Sequence, residues 1–369
     1  MRALPGGDPG GLTLLRYCDT VVIATDVGVE VAPGPGGVAL IVAMHAPDGF
    51  LEPPVALATA LLAVAVLGWS LRRASDELDD RRIPLAGLTA AFLFAAQMFN
   101  FPVASGTTGH LLGGALAAIL LGPYLGCVVV AVVILVQALL FADGGLTALG
   151  YNTLNMSIVP AFAGWGLFTI FRRMLPVSSA GVVAATGLAA GASVVLAAMT
   201  FSIEWLFGAS APVPFDTVFA AMVGVHALIG IGEGVLSAMV VGAVLATRPD
   251  LVRGARDLTA EQLGDGRRVP ARTFVFGAGL VVVALAAVVS QFAFDAPDGL
   301  ERVASDQGFV SSARDHVFNR AVFADYATRG IGNQPLSLAV AGLAGAALTL
   351  LVAYGLVSAS RWSRPRASP

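Results

Sequence analysis

Charge is scarce in this chain. Of 369 residues only 12% are Asp, Glu, Lys or Arg, against 57% hydrophobic, and the mean hydropathy is +0.82. Soluble domains carry about 25% charged residues, so the composition excludes that class and describes a polytopic membrane protein. The net charge of -3 carries little information about partners, because the charges cluster between apolar runs, where their sidedness matters more than their sum. Nothing in their distribution suggests nucleic acid. Cysteine is nearly absent: Cys18 and Cys127 give neither zinc-type spacing nor a disulfide framework, and Cys127, inside an apolar run, reads as a small packing residue. No Gly-x-x-x-x-Gly-Lys-Ser/Thr phosphate loop occurs, so the chain does not hydrolyse ATP by itself. Nor is there a Ser-His-Asp set with a plausible nucleophile, and an enzyme is not expected.

Histidine is also rare, with four in the chain, and one of them stands in an informative place. In Met44-His45-Ala46-Pro47-Asp48-Gly49-Phe50, a free Met44 amine, the deprotonated backbone nitrogen of His45 and the His45 imidazole would form two fused chelate rings around a divalent metal. Three nitrogens in one plane suit Ni(II) or Co(II), with a slight preference for nickel. A fourth in-plane ligand must come from His110, His226 or His316. His110, in Gly106-Thr107-Thr108-Gly109-His110, is the candidate carried forward. The chelate requires the amine to be free. Residues 1–43, which hold Asp, Glu, Gly and Pro and no apolar run of bilayer length, are therefore expected to be either an upstream misassigned start or a cleaved leader.

After Met44 the apolar runs and their flanking arginines mark about nine spans. The first, 53–71, ends at Arg72-Arg73, and a polar stretch to Arg81-Arg82 leads to a second at 85–101. The positive-inside rule puts that stretch in the cytoplasm, so His45 and His110 fall on the same, external side. The third run, 110–121, is too short for a standard membrane helix, and its Gly and Ala content reads as a closely packed buried helix. Further spans follow at 125–141, 154–171, 180–207 and 215–247. The last exceeds a straight crossing and is expected to break or tilt near Gly230-Ile231-Gly232.

That segment carries His226 and Glu233, ionisable groups at membrane depth that should face a bundle interior. Seven residues apart, they share a helix face. One His and one Glu make a poor metal site, so the expected role is structural or as hydrogen-bond support behind the ligands. Residues 248–272 are polar and basic and read as a cytoplasmic linker. Beyond it, two spans at 274–292 and 336–357 enclose a polar external loop that opens with Pro297-Asp298-Gly299-Leu300-Glu301 and later carries Phe323-Ala324-Asp325-Tyr326.

The MHAPDGF run and GTTGHLLGG resemble the substrate-binding membrane subunit of cobalt and nickel energy-coupling-factor (ECF) transporters, the CbiM/NikM family. The PDGLE and FADY segments resemble its small accessory subunit, CbiN/NikN, with Val322 where a proline is usual. The resemblance implies an all-α bundle of about seven transmembrane helices at 44–247, a linker at 248–272, and an accessory helix pair at 273–369. It also implies metal ligation by Met44, His45 and His110, and the loop's resemblance centres on PDGLE and FADY rather than on His316. The implied cargo is Ni(II) or Co(II), and the implied partners are separate ATPase subunits and a coupling transmembrane subunit. Two readings of other classes stay beside this one: a secondary metal transporter, and a membrane enzyme using His226 and Glu233.

Overall fold

The computed structural model describes residues 13–17, 20–25, 28–32, 45–79, 82–104, 106–263 and 269–362. Met44 and most of the preceding segment lie outside them. The chain divides into two units, Met1–Val42 and Ala43–Pro369. In the first, β1 (Thr13–Tyr17), β2 (Thr20–Thr25) and β3 (Gly28–Ala32) form an antiparallel sheet in sequential order.

The second unit is helical. Among the described residues seven helices are long and apolar enough to cross a membrane, which makes the chain a multi-pass all-α membrane protein. α1 (Pro53–Asp76) starts at a proline pair, whose missing N–H groups cost nothing in a first helical turn. α2 (Arg82–Gln97) is shorter. A hairpin of two-residue strands, β4 (Phe101–Pro102) with β5 (Thr108–Gly109), leads to α3 (Gly114–Leu121), which is eight residues long and buried along its whole length, as its small-residue content foretold. α4 (Pro123–Val136) passes into a π-helical turn at Gln137–Phe141. α5 (Leu149–Thr153) runs through a second π turn, Leu154–Ile158, into α6 (Val159–Met174).

α7 (Ser179–Gly208) is capped by the Ser178 hydroxyl, which accepts from the Gly181 N–H at 3.1 Å. α8 (Phe215–Thr247) is one unbroken helix of 33 residues, so the expected break at Gly230-Ile231-Gly232 does not occur. These glycines are there for packing. A Cβ at Gly230 would lie 2.5 Å from the Gly191 carbonyl oxygen on α7, and one at Gly234 would lie 2.6 Å from that of Gly187. The α7–α8 seam is thus a stripe of glycines that lets two backbones touch, the usual device for helix association in lipid.

After a polar connection containing the short α9 (Ala260–Leu263), α10 (Ala271–Ala287) and α12 (Gln334–Trp362) pack on each other and on α2. Between them the polar stretch is folded. α11 (Gly299–Asp306) is capped by Asp298, whose carboxylate accepts from the Glu301 N–H at 2.8 Å.

Candidate metal site

Residues 45–48 precede α1 and are strapped into one end of the bundle by the segment that enters α5. Asp48 Oδ1 accepts from the Thr147 N–H and hydroxyl, both at 2.6 Å, and from the Ala148 N–H at 3.3 Å. The Asn152 amide holds the Ala46 peptide at both ends, accepting from its N–H at 3.2 Å and donating to its carbonyl at 2.9 Å. Tyr151 donates to the Pro47 carbonyl at 2.9 Å. The His45 N–H donates to Asp143 Oδ1 at 3.2 Å. Gly144, at φ +82°, lies directly beneath: a Cβ there would be 2.7 Å from that of His45. Asp48 lies in the run MHAPDGF but was given no role of its own in the sequence reading, and Asp143 and Asn152 were not singled out; their only signal was the polarity of the stretch between two apolar runs.

His110 follows β5, on a loop held from two sides. The Glu233 carboxylate on α8 accepts from the Leu112 N–H at 2.7 Å and the Gly113 N–H at 3.0 Å, while the Gln97 amide donates to the Leu112 carbonyl at 3.0 Å. Glu233 therefore fixes the backbone beside a candidate ligand and is not itself turned towards a metal.

His45 and His110 end with ring centroids 5.7 Å apart and ring planes inclined at 56°. Both are buried, yet Nδ1 and Nε2 of His45 and Nε2 of His110 have no hydrogen-bond partner. Buried polar atoms are normally satisfied, and an unpartnered one points to a strained, catalytic or ion-binding role. Burial, with the neighbouring His45 and His226, lowers His110 to a pKa of about 3, so near neutral pH its imidazole is uncharged with a lone pair free for a metal. The two rings open on a cavity of about 70 Å³, lined also by Asn152, Asn155, His226 and Asp298.

His226 thus belongs to the same cavity. Its Nδ1 lies 2.8 Å from the Met222 carbonyl oxygen, which requires the proton on that nitrogen and leaves Nε2 as the lone-pair atom. Asp298 was not foreseen there at all. Burial pushes it up to about 8, and Glu301 beside it up to about 7. His316 stays outside the cavity lining, its Nδ1 accepting from the Phe318 N–H at 2.9 Å. Among the described residues no cluster of three or more His, Cys, Asp or Glu side chains could hold one ion.

The C-terminal loop reaches this end of the bundle at three points. Thr108 donates its N–H to the Pro297 carbonyl at 2.9 Å and its hydroxyl to that of Ala296 at 2.8 Å. The Arg314 N–H donates to the Asp48 carbonyl at 2.8 Å. The Tyr326 hydroxyl donates to Asp143 Oδ2 at 2.6 Å.

Comparison with known proteins gives two family matches: the cobalt uptake substrate-specific transmembrane region over residues 45–251, and the PDGLE domain over residues 272–361. A protein of Archaeoglobus fulgidus, provisionally named as a fused nickel transport protein NikMN, is 33% identical over 86% of this chain and 99% of its own length. The fused nickel transport protein NikMN of Rhodobacter capsulatus is 35% identical over 58% of this chain and 65% of its own. The cobalt transport protein CbiM of Geobacter sulfurreducens is 34% identical over 61% of this chain and 66% of its own.

Proposed function

The chain belongs to the cobalt-uptake transmembrane family, CbiM, continued in the same polypeptide by a PDGLE domain, and from that premise we propose that this nickel or cobalt transport protein is the substrate-binding and translocating subunit of an ATP-driven ECF-type importer. Residues 44–247 form its metal-binding membrane domain, 248–272 a cytoplasmic linker and 273–369 the accessory domain. The cargo ion is held by the Met44 amine, the His45 backbone and imidazole nitrogens, and His110. The site faces the outside of the cell, and separate ATPase subunits with a coupling transmembrane subunit drive release inward.

The observation that carries this reading is the buried His45–His110 pair, with three ring nitrogens that make no hydrogen bond, His45 Nδ1 lying 3.8 Å from Asp143 Oδ1. Planar nitrogen ligation leaves nickel and cobalt both in play, with a slight lean to nickel.

The test uses a chain that begins at Met44. Adding Ni(II) should produce a ligand-field absorption band, and acetylating the amine should abolish it; a band that survives acetylation removes Met44 from the coordination sphere. His110→Ala should weaken binding by at least the roughly 10–100-fold that even outer-shell partners of a metal are worth. Wild-type affinity in that variant would sink the assignment. A secondary transporter would import metal in cells lacking the partner ATPases, and this protein should not.

A further inference from the structure

We infer that Tyr326 is a positioning residue, through which docking of the C-terminal loop sets the geometry of the metal site. The inference rests on the ligand reading above and adds to it a residue and a mode of regulation. Asp143 is the link. Until its nitrogen is given up to an ion, the His45 N–H donates to one carboxylate oxygen at 3.2 Å, the Tyr326 hydroxyl donates to the other at 2.6 Å, and the carboxylate also lies 3.8 Å from His45 Nδ1, so the seated loop fixes where His45 awaits the ion.

The same hydroxyl faces the Gln137 amide. Gln137 donates to Gln97 at 3.0 Å, and Gln97 donates to the Leu112 carbonyl, two residues past His110. Tyr326 therefore heads a hydrogen-bond chain to the His45 backbone and lies beside a second one, Gln137 to Gln97 to Leu112, that supports the His110 loop. Both sides of the junction are built at a backbone cost. Asp325 and Tyr326 lie at φ +53° and +55°, and Ala142, just before Asp143, at +55°. Left-handed conformations at non-glycine residues persist where the surroundings over-determine them, and they concentrate at functional sites. Gln137 opens a π turn, another feature frequent at such sites. The ring is held independently of its hydroxyl, with its centroid 5.1 Å from that of Phe141 and 6.2 Å from that of Phe94, while Phe323 stacks on Phe141 at 5.6 Å.

That separation of ring from hydroxyl makes the test clean. In a chain beginning at Met44, Tyr326→Phe keeps the packing and removes only the donor. We expect a lowered thermal midpoint without metal, because a buried Asp143 oxygen loses its donor, and with it a displaced Ni(II) ligand-field band and release of Ni(II) to a chelator accelerated by roughly tenfold, the lower end of outer-shell effects at metal sites. Phe323→Leu, which disturbs only packing, should lower the midpoint and leave the band in place. A wild-type band and release rate in Tyr326→Phe overturn the inference alone, as does a Phe323→Leu variant whose band moves equally. A wild-type chain with no band at all overturns the ligand set, and this inference with it.

Discussion

Glu233 is buried in the membrane core and has no cationic partner among the described residues, yet its two oxygens are both used, each by a backbone N–H of the loop that carries His110. Removing the acceptor leaves two buried donors unsatisfied, at a cost of roughly 1–3 kcal/mol each. Glu233→Ala should therefore lower the thermal midpoint of the metal-free protein in detergent and weaken metal binding. Glu233→Gln, which keeps one acceptor, should lose less. An Ala variant of unchanged midpoint would mean that the loop is held elsewhere. With His110 as the proposed fourth ligand, His226→Ala removes only a cavity wall, so its effect on affinity should be smaller than that of His110→Ala. An equal loss would make His226 the fourth ligand. The two residues illustrate what sequence spacing can and cannot say. Their shared helix face was visible from the seven-residue interval, but their different duties depend on which loop lies opposite, and that is a tertiary fact.

At the level of elements, hydropathy and flanking arginines located the membrane helices, because a crossing segment must be long and apolar whatever it packs against. The short third helix was legible for the same reason. What failed was the expected break at Gly230-Ile231-Gly232, since glycine both loosens a lone helix and admits a close neighbour, and only the neighbours, Gly191 of α7 at Gly230 and the Phe101 ring at Gly232, show which applies. The π turns at Gln137–Phe141 and Leu154–Ile158 were invisible as well, having no residue signature of their own. Comparing two substitutions isolates the seam. A methyl group added at Gly224 would meet nothing within 4 Å, so Gly224→Ala should be neutral or stabilising by up to about 1 kcal/mol through helix propensity alone. Gly230→Ala, whose methyl meets the Gly191 carbonyl, should instead lower the midpoint. Equal behaviour of the two would mean that α7 and α8 slide apart without penalty.

For the whole molecule, the order of segments, the family resemblance and the side on which the C-terminal loop lies were readable along the chain, while its anchors were not, because they are individual hydrogen bonds between distant polar residues. The loop closes one end of the bundle. Thr108, Asp48 and Asp143 each receive it, Asp298 and Leu300 line the histidine cavity, and Phe309 packs against Trp205 and Phe50 with centroids 4.4 and 5.2 Å away. Deleting residues 297–326 would remove the Pro297, Arg314 and Tyr326 anchors and two walls of the cavity, and it would leave the Phe50 and Trp205 rings without Phe309. In cells that also supply the ATPase and coupling subunits, such a deletion should cut nickel or cobalt uptake sharply. His316→Ala should change uptake little, since that ring lies outside the cavity lining and contacts its own loop. Radiolabelled metal accumulation, normalised to the amount of protein in the membrane, separates the outcomes. Uptake abolished by His316→Ala alone would put the loop into the coordination sphere, and a deletion variant that imports normally would show that the loop's three anchors serve folding and not transport.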